Sequence, residues 1–168
     1  MRLTTLRAAA VLGTVLLLAA CNMGKTTEGG RGTSSTRRTS GVAQKSGSGQ
    51  LRTDLEPLVK RFSALGEPLS AKWMSGTMGD PRVPGPSTYW IDAVVEVTPA
   101  RARELRRDHG PEVTQARPDV VAGLQPSLPA GPLLASDALD RAFTEGGYGA
   151  KAYLAADSDV VILVALGS

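Results

Sequence analysis

The chain has very few of the residues that build disulfides and metal centres. Its 168 residues include one cysteine and one histidine, His109, and aromatic residues make up only 4%. A single cysteine cannot close a disulfide within the chain. Zinc and iron sites draw on several histidine and thiolate ligands, which this chain cannot supply. We therefore expect no metal site and no cofactor.

The N-terminal region contains no acidic residue before Glu28. Arg2 and Arg7 make it positively charged, and an apolar stretch of eleven residues, interrupted by two small ones, follows at 8–18. This stretch has the length of the apolar part of a signal peptide, whereas a helix that spans a bilayer needs ~20 residues. The pattern predicts export from the cytoplasm.

The lone cysteine stands directly after this apolar stretch. The residues Leu18-Ala19-Ala20-Cys21 resemble the lipobox of bacterial lipoproteins, in which Leu, Ala or Ser, and Gly or Ala precede the cysteine. The resemblance covers only the first 21 residues. It implies cleavage between Ala20 and Cys21 and a diacylglycerol thioether, with palmitate-like acyl chains, on Cys21. The protein would then be held at the extracytoplasmic side of a cell membrane.

Two alternatives to lipidation remain at this point. An ordinary secretory peptide cut after Ala20 would leave Cys21 as an unpaired thiol, and an uncleaved signal would act as an N-terminal anchor. An exposed thiol with no second cysteine is unusual in an oxidising compartment, which favours the lipidated form.

Composition divides the chain into three parts: a signal peptide at 1–20, a lipidated linker at 21–50 and one globular domain at 51–168. The linker is rich in Gly, Ser and Thr, and residues 22–50 carry five basic residues and one acidic residue. It buries too little apolar surface to offset its chain entropy and is predicted to be disordered. Its positive charge either attracts anionic lipid or wall polymer, or is incidental to a soluble spacer.

The predicted domain carries twelve basic and fifteen acidic residues, so the basicity of the chain belongs to its N-terminal part. A nucleic-acid-binding domain requires a basic face, and this balance argues against one. The predicted partners are therefore the membrane, through Cys21, and an envelope protein or cell-wall polymer.

Apolar spacing and capping residues predict the elements of the domain. Three helices are expected, at 51–65 with Asp54 as its cap, from Pro99 to His109 after the N-cap Thr98, and at 137–145 after the N-cap Ser136. Two hairpins are expected, from strands at 69–78 and 88–97 and from strands at 150–156 and 160–166.

The resulting order, α-β-β-α-α-β-β, predicts an α+β domain. We expect a four-stranded, mainly antiparallel sheet packed on one face by two to three helices. The strand at 160–166 is apolar on both faces and should be central. Alternation along 88–97 places Asp92 and Glu96 on the face away from the helices, where they should meet water.

The connection between the first two strands is the predicted recognition loop. Residues 79–87 contain three prolines and present Arg82 and Val83, while Trp73 and Trp90 lie on the adjoining strands. A stiff loop loses little entropy on binding, and tryptophan and arginine are common interface anchors. The alternative is a rigid connection in which both tryptophans cover the edge of the core.

No catalytic motif stands out. Gly-x-Ser-x-Gly and Ser-x-x-Lys are both absent, and Cys21 is not available for thiol chemistry. The prediction is a non-enzymatic binding or accessory module. The alternatives are a small envelope hydrolase that uses His109 or the paired carboxylates Asp92 and Glu96, and a tethered sensor with a ligand pocket between sheet and helices.

Overall fold

The computed structural model describes residues 45–46, 49–78 and 88–167. The predicted signal peptide, Cys21, Arg82 and Val83 lie outside these residues. The described part is α+β, as expected. Its strands are β1 (Lys45–Ser46), β2 (Ser70–Met78), β3 (Thr88–Glu96), β4 (Glu112–Thr114), β5 (Leu133–Ala135), β6 (Tyr148–Ala155) and β7 (Val160–Gly167). Its α-helices are α1 (Glu56–Arg61), α2 (Pro99–His109) and α3 (Asp137–Ala142), and two 3₁₀ helices span Ser63–Leu65 and Ala122–Ser127.

The described strands form one antiparallel sheet in the order β1-β2-β3-β7-β6-β5-β4. Both predicted hairpins, β2–β3 and β6–β7, are confirmed, and β7 lies between β3 and β6 at the centre. The expected four strands were too few. The three additional strands are only two or three residues long, which is too short for any alternation to show in the sequence.

All three helices pack on one face of the sheet, which we call the helix face. Apolar side chains of the helices and of the residues that end them pack there against Trp73 and smaller apolar residues of the strands. They include Phe62, Leu105, Leu139 and Phe143, none of which is exposed. The prediction that helices cover one face is confirmed.

The other face is covered by the irregular segment 115–132, and we call it the loop face. Val120 and Leu124 of this segment pack on Val94 and Ile162 of the central strands. Asp92, which we expected to meet water on this face, is fully buried. The alternation had placed it on the correct side, but a proline-rich segment covers that side; Glu96 is exposed, as expected.

Capping residues fix α2 and α3 where the sequence indicated. The Arg101 N–H donates to Thr98 Oγ1 (3.2 Å), and the Leu139 N–H donates to Ser136 Oγ (3.0 Å). Gly110 ends α2 in the left-handed conformation (φ 49°). The third helix ends at Ala142, three residues earlier than predicted.

The first helix begins later than predicted, at Glu56 rather than 51. Arg52 forms a β-bridge instead, because it exchanges two backbone hydrogen bonds of 2.9 Å with Trp73 of β2. Asp54 does not cap the helix; its carboxylate pairs with the Arg52 guanidinium instead. Lys45 and Ser46, which the sequence assigned to the linker, also pair with β2 as strand β1.

Side chains of α3 and the residues after it cover part of the β6 edge. β5 pairs with β6 only at Leu154 and Ala155, so earlier backbone groups of β6 have no strand partner on that side. The Ala152 N–H donates to Asp140 Oδ1 (2.8 Å) and the Ala150 N–H to Thr144 Oγ1 (3.3 Å). These contacts attach α3 to β6 and satisfy the exposed donors.

Candidate functional site

A cleft open to solvent, with a volume of about 670 Å³, lies between α1 and the turn that enters β6. Its walls come from segments far apart in the chain, and its lining residues are Glu56, Pro57, Lys60, Arg61, Glu145, Gly146 and Tyr148. The volume lies within the range usual for small-molecule sites. The cleft is therefore the candidate functional site of the described domain.

Glu145, in the turn that enters β6, is hydrogen-bonded to Ser63, which follows α1 on the other side of the cleft. Its carboxylate accepts hydrogen bonds from the Ser63 N–H (3.1 Å) and the Ser63 hydroxyl (2.7 Å). These donors stabilise the ionised form and lower the pKa of Glu145 below its ordinary value. Gly146 (φ 58°) and Gly147 (φ 83°) then make the turn in a conformation that favours glycine.

Tyr148 forms the aromatic wall of the cleft. Its ring packs edge to face on Phe62, with centroids 6.1 Å apart, and it also lies over Gly167 of β7. A Cβ atom on Gly167 would be only 2.5 Å from the ring, so the close approach requires glycine.

A second tyrosine lies in the same row of the sheet. Gly167 is directly opposite Tyr148 on one side and Tyr89 on the other, so all three residues share the helix face. Tyr89 is 47% exposed. We call Tyr89, Gly167 and Tyr148 the tyrosine row.

Charged side chains complete the cleft. Arg61 Nη1 donates to the Pro57 carbonyl (3.2 Å), and the Lys60 ammonium has no hydrogen bond or ion pair with any described residue. Glu56 contributes an exposed carboxylate. Ser63 is neutral and leaves the Glu145 carboxylate charged, so two carboxylates and two cations line the cleft and their formal charges balance.

A second polar cluster is buried on the loop face. Lys45 Nζ lies 2.9 Å from both carboxylate oxygens of Asp92, and it also donates to the Asp119 carbonyl. The Val121 N–H donates to Asp92 Oδ2 (2.7 Å). Burial raises the pKa of Asp92, and the donors from Lys45 and Val121 offset part of that rise.

This cluster joins three separate segments. Lys45 comes from β1, Asp92 from β3, and Asp119 and Val121 from the segment that covers the loop face. The Asp92 side chain is fully buried and that of Lys45 is 16% exposed. We interpret this cluster as a structural contact between segments rather than a ligand site, and we call it the clasp.

Both tryptophans of the predicted recognition surface lie inside the fold. Trp73 is 2% exposed, its Nε1–H donates to the Asp54 carbonyl (2.9 Å), and the Arg52 guanidinium stacks on it at 4.0 Å. Trp90 is not exposed at all, and its Nε1–H donates to the Thr77 carbonyl (3.1 Å). Neither ring presents surface to a partner.

The residues considered for catalysis are not brought together. Asp92 and Glu96 lie four residues apart on an extended strand, a separation of roughly 13 Å, whereas glycosidase carboxylates lie about 5–9.5 Å apart. His109 is half-buried at the end of α2, and its carbonyl accepts from the Ser136 hydroxyl (2.8 Å). In the part of the chain that the structure describes, no three His, Cys, Asp or Glu side chains cluster as metal ligands.

Sequence reasoning did not find the cleft. Tyr89 and Tyr148 are far apart in the chain, and only the pairing of three strands places them opposite Gly167. The one local sign is the Glu-Gly-Gly-Tyr sequence at 145–148, a turn signal followed directly by an aromatic residue.

Comparison with models of known families, with curated proteins and with solved structures finds no match for this chain. Within residues 45–46, 49–78 and 88–167, no helix has the length and apolar character required to cross a bilayer.

Proposed function

We propose that the protein is a lipid-anchored, extracytoplasmic binding module that meets an envelope protein or cell-wall polymer. The observation that carries the proposal is Leu18-Ala19-Ala20-Cys21, which ends a basic and apolar N-terminal segment with the only cysteine of the chain. Acyl chains on Cys21 bury many methylene groups, at ~0.8 kcal/mol each, and hold the protein at the membrane.

The shape of the domain supports a binding role. The cleft lies on the outside of the fold, has a fixed turn on one side and is lined by tyrosine and by charged side chains of both signs. Tyrosine combines an apolar ring with a polar tip and suits a surface that contacts a ligand in water. The held carboxylate of Glu145 accepts hydrogen bonds and is a poor proton donor, so the cleft favours binding over acid catalysis.

The anchor is tested by expressing the full chain in a bacterium fed an alkyne-bearing palmitate analogue. The wild type should incorporate the label and partition with detergent, and its mature N-terminus should be Cys21 bearing diacylglycerol. Cys21→Ser should lose the label because serine cannot form the thioether. The neighbouring substitution Asn22→Ser is the matched control and should keep it.

Two results would contradict the anchor. One is a mature protein whose Cys21 thiol carries no lipid by mass spectrometry. The other is a Cys21→Ser variant that incorporates as much label as the wild type.

A further inference from the structure

We propose that the middle of the segment over the loop face is a lid, and that Lys45, where the predicted linker enters the fold, holds this lid closed. The lid comprises residues 117–131. The inference goes beyond the proposed function, because it makes access to the loop face depend on the position of the linker. It rests on how the lid is attached to the rest of the described domain.

The chain is fixed by hydrogen bonds on both sides of the lid. Before it, the Ala116 N–H donates to Thr114 Oγ1 at the end of β4 (3.1 Å). After it, the Ala156 N–H donates to the Pro132 carbonyl, next to β5 (2.9 Å). The lid is therefore a stretch of chain whose ends stay in place when its middle moves.

Between these ends, the clasp supplies the only hydrogen bonds from the lid to other segments within residues 45–46, 49–78 and 88–167. The Val121 N–H donates to Asp92 Oδ2 (2.7 Å), and the Asp119 carbonyl accepts from Lys45 Nζ. Both contacts meet at one place, since Lys45 Nζ also lies 2.9 Å from each carboxylate oxygen of Asp92. Three lid residues are prolines, which have no N–H to donate to a neighbouring strand.

Apolar packing also holds the lid, but it comes from a few side chains. Val120 and Leu124 are buried against Val94 and Ile162 of the central strands. Ordering the lid costs backbone entropy at each of its residues, and the burial of these few side chains must offset that cost. The closed position therefore depends on the clasp as well.

Lys45 is the part of the clasp that the chain can withdraw. It lies in β1, which pairs with β2 through two residues, whereas Asp92 lies on β3, which is paired on both sides. Lys45 directly follows the predicted linker, so an event that draws the linker away from β2 removes the ammonium. Asp92 then has no counter-charge while the lid is closed and regains water when the lid opens. Loss of Lys45 from the clasp therefore favours the open lid.

The test is thiol labelling on the two sides of β3. Val94 lies under the lid, and its neighbour Val95 lies on the helix face; both are buried. Val94→Cys and Val95→Cys are each made in the full chain, which is purified in detergent and treated with a water-soluble maleimide. Mass spectrometry of the peptides measures the labelling rate at the introduced thiol separately from Cys21.

Addition of Lys45→Met should open the lid and leave the helix face folded. We expect the labelling rate of Val94→Cys to rise about a hundredfold, because the clasp no longer opposes opening. The rate at Val95→Cys should change by less than about twofold, because its exposure requires unfolding of the sheet. Lys72→Met is the matched control, since it removes an exposed lysine that is not part of the clasp, and it should leave both rates nearly unchanged.

Two labelling results would overturn the inference. An unchanged rate at Val94→Cys would show that Lys45 does not hold the lid. Equal acceleration at both cysteines would show that loss of Lys45 loosens the whole domain. Neither result depends on whether Cys21 carries lipid, so a failure here would leave the proposed anchor standing.

Hydrogen exchange of the unsubstituted chain decides the question if circular dichroism shows that Lys45→Met does not fold. The Leu124 N–H is bonded within the lid, to the Val121 carbonyl (2.9 Å), and Leu163 lies on the central strand β7. After correction for intrinsic rates, the Leu124 N–H should exchange at least about tenfold faster than the Leu163 N–H. Equal rates would mean that the lid opens only when the domain unfolds, which would contradict the inference.

Discussion

The two faces of the sheet are covered in different ways. The helix face is packed by apolar side chains of three helices, and capping residues fix the beginnings of α2 and α3. The loop face is covered by a segment with little regular structure, and it contains the buried charge Asp92. Apolar packing is non-directional, whereas Asp92 accepts directed hydrogen bonds from Lys45 and from the Val121 N–H, which lie on separate segments.

The difference indicates where the fold depends on long-range contacts. Each helix contributes an apolar side that helps it to form and to pack. The segment 115–132 has only scattered apolar residues, so its position depends on the clasp as well as on packing. We therefore expect the stability of the loop face to depend on buried polar contacts as well as on apolar packing, and that of the helix face to depend on apolar packing.

The largest effect should come from Asp92→Ala on the loop face. It removes the acceptor of the Lys45 ammonium and of the Val121 N–H, and breaking a buried pair in this way costs about 3–5 kcal/mol. The double variant Lys45→Met with Asp92→Leu should recover part of that loss, because no buried charge remains. Urea unfolding measures both, with the exposed Glu112→Ala as control.

A second prediction compares one leucine from the cover of each face. Leu124 and Leu105 are both fully buried, the first under the loop face and the second in α2. Either change to alanine should lower the free energy of unfolding by about 3 kcal/mol, if the segment 115–132 is part of the same cooperative unit. If Leu124→Ala alone lowered the free energy of unfolding by less than about 1 kcal/mol, the segment 115–132 would be able to leave the sheet without unfolding the rest of the domain.

A third prediction concerns the approach of the N-terminal segment to β2. A Cβ atom on Gly49 would lie 2.3 Å from the backbone oxygen of Ser75, so Gly49→Ala must displace this segment. We expect a loss of about 2 kcal/mol from the resulting overpacking. Thermal unfolding measures this loss. The control Gly149→Ala has no atom within 4 Å of its new methyl group and should leave the stability nearly unchanged.

The smallest effect is a pH dependence of opposite sign at two carboxyls. The pKa of Asp92 is raised, so the folded state binds this proton more tightly and gains stability as the pH falls towards about 4. The pKa of Glu145 is lowered, so its contribution is present above its unfolded pKa and is lost as the pH falls through its folded pKa.

Two neutral variants measure these signs. From pH 7 to about 4, the wild type should gain stability relative to Asp92→Asn. Below about 4.3, the ordinary pKa of glutamate, it should lose its advantage over Glu145→Gln. A difference between wild type and Asp92→Asn that stays constant with pH would contradict the raised pKa.

The sequence predicted the parts of the fold that local patterns determine. Thr98 and Ser136 cap their helices through their own side chains, and the apolar run 160–166 could only be central. Alternation identified the side of β3 on which Asp92 lies. It could not show what covers that side, because the covering segment contributes only a few contacts at irregular spacing.

The candidate site was beyond local patterns for a related reason. The cleft combines α1 with the turn that enters β6, and neither shows a functional motif in the sequence. The two tryptophans were predicted to be interface residues because of their type. Large apolar rings most often fill an interior, and both do so here. The tyrosines, whose rings reach solvent, carry no local signal beyond the turn that precedes Tyr148.

The contacts of Asp140 and Thr144 with β6 have a consequence for how copies of the protein behave when crowded together. An open strand edge is a template on which another chain can add, and repeated addition leads to fibrils. Here two donors of that edge already serve side chains of the same molecule. A neighbouring copy would have to displace them before it could extend the sheet, so this stretch of β6 resists self-association.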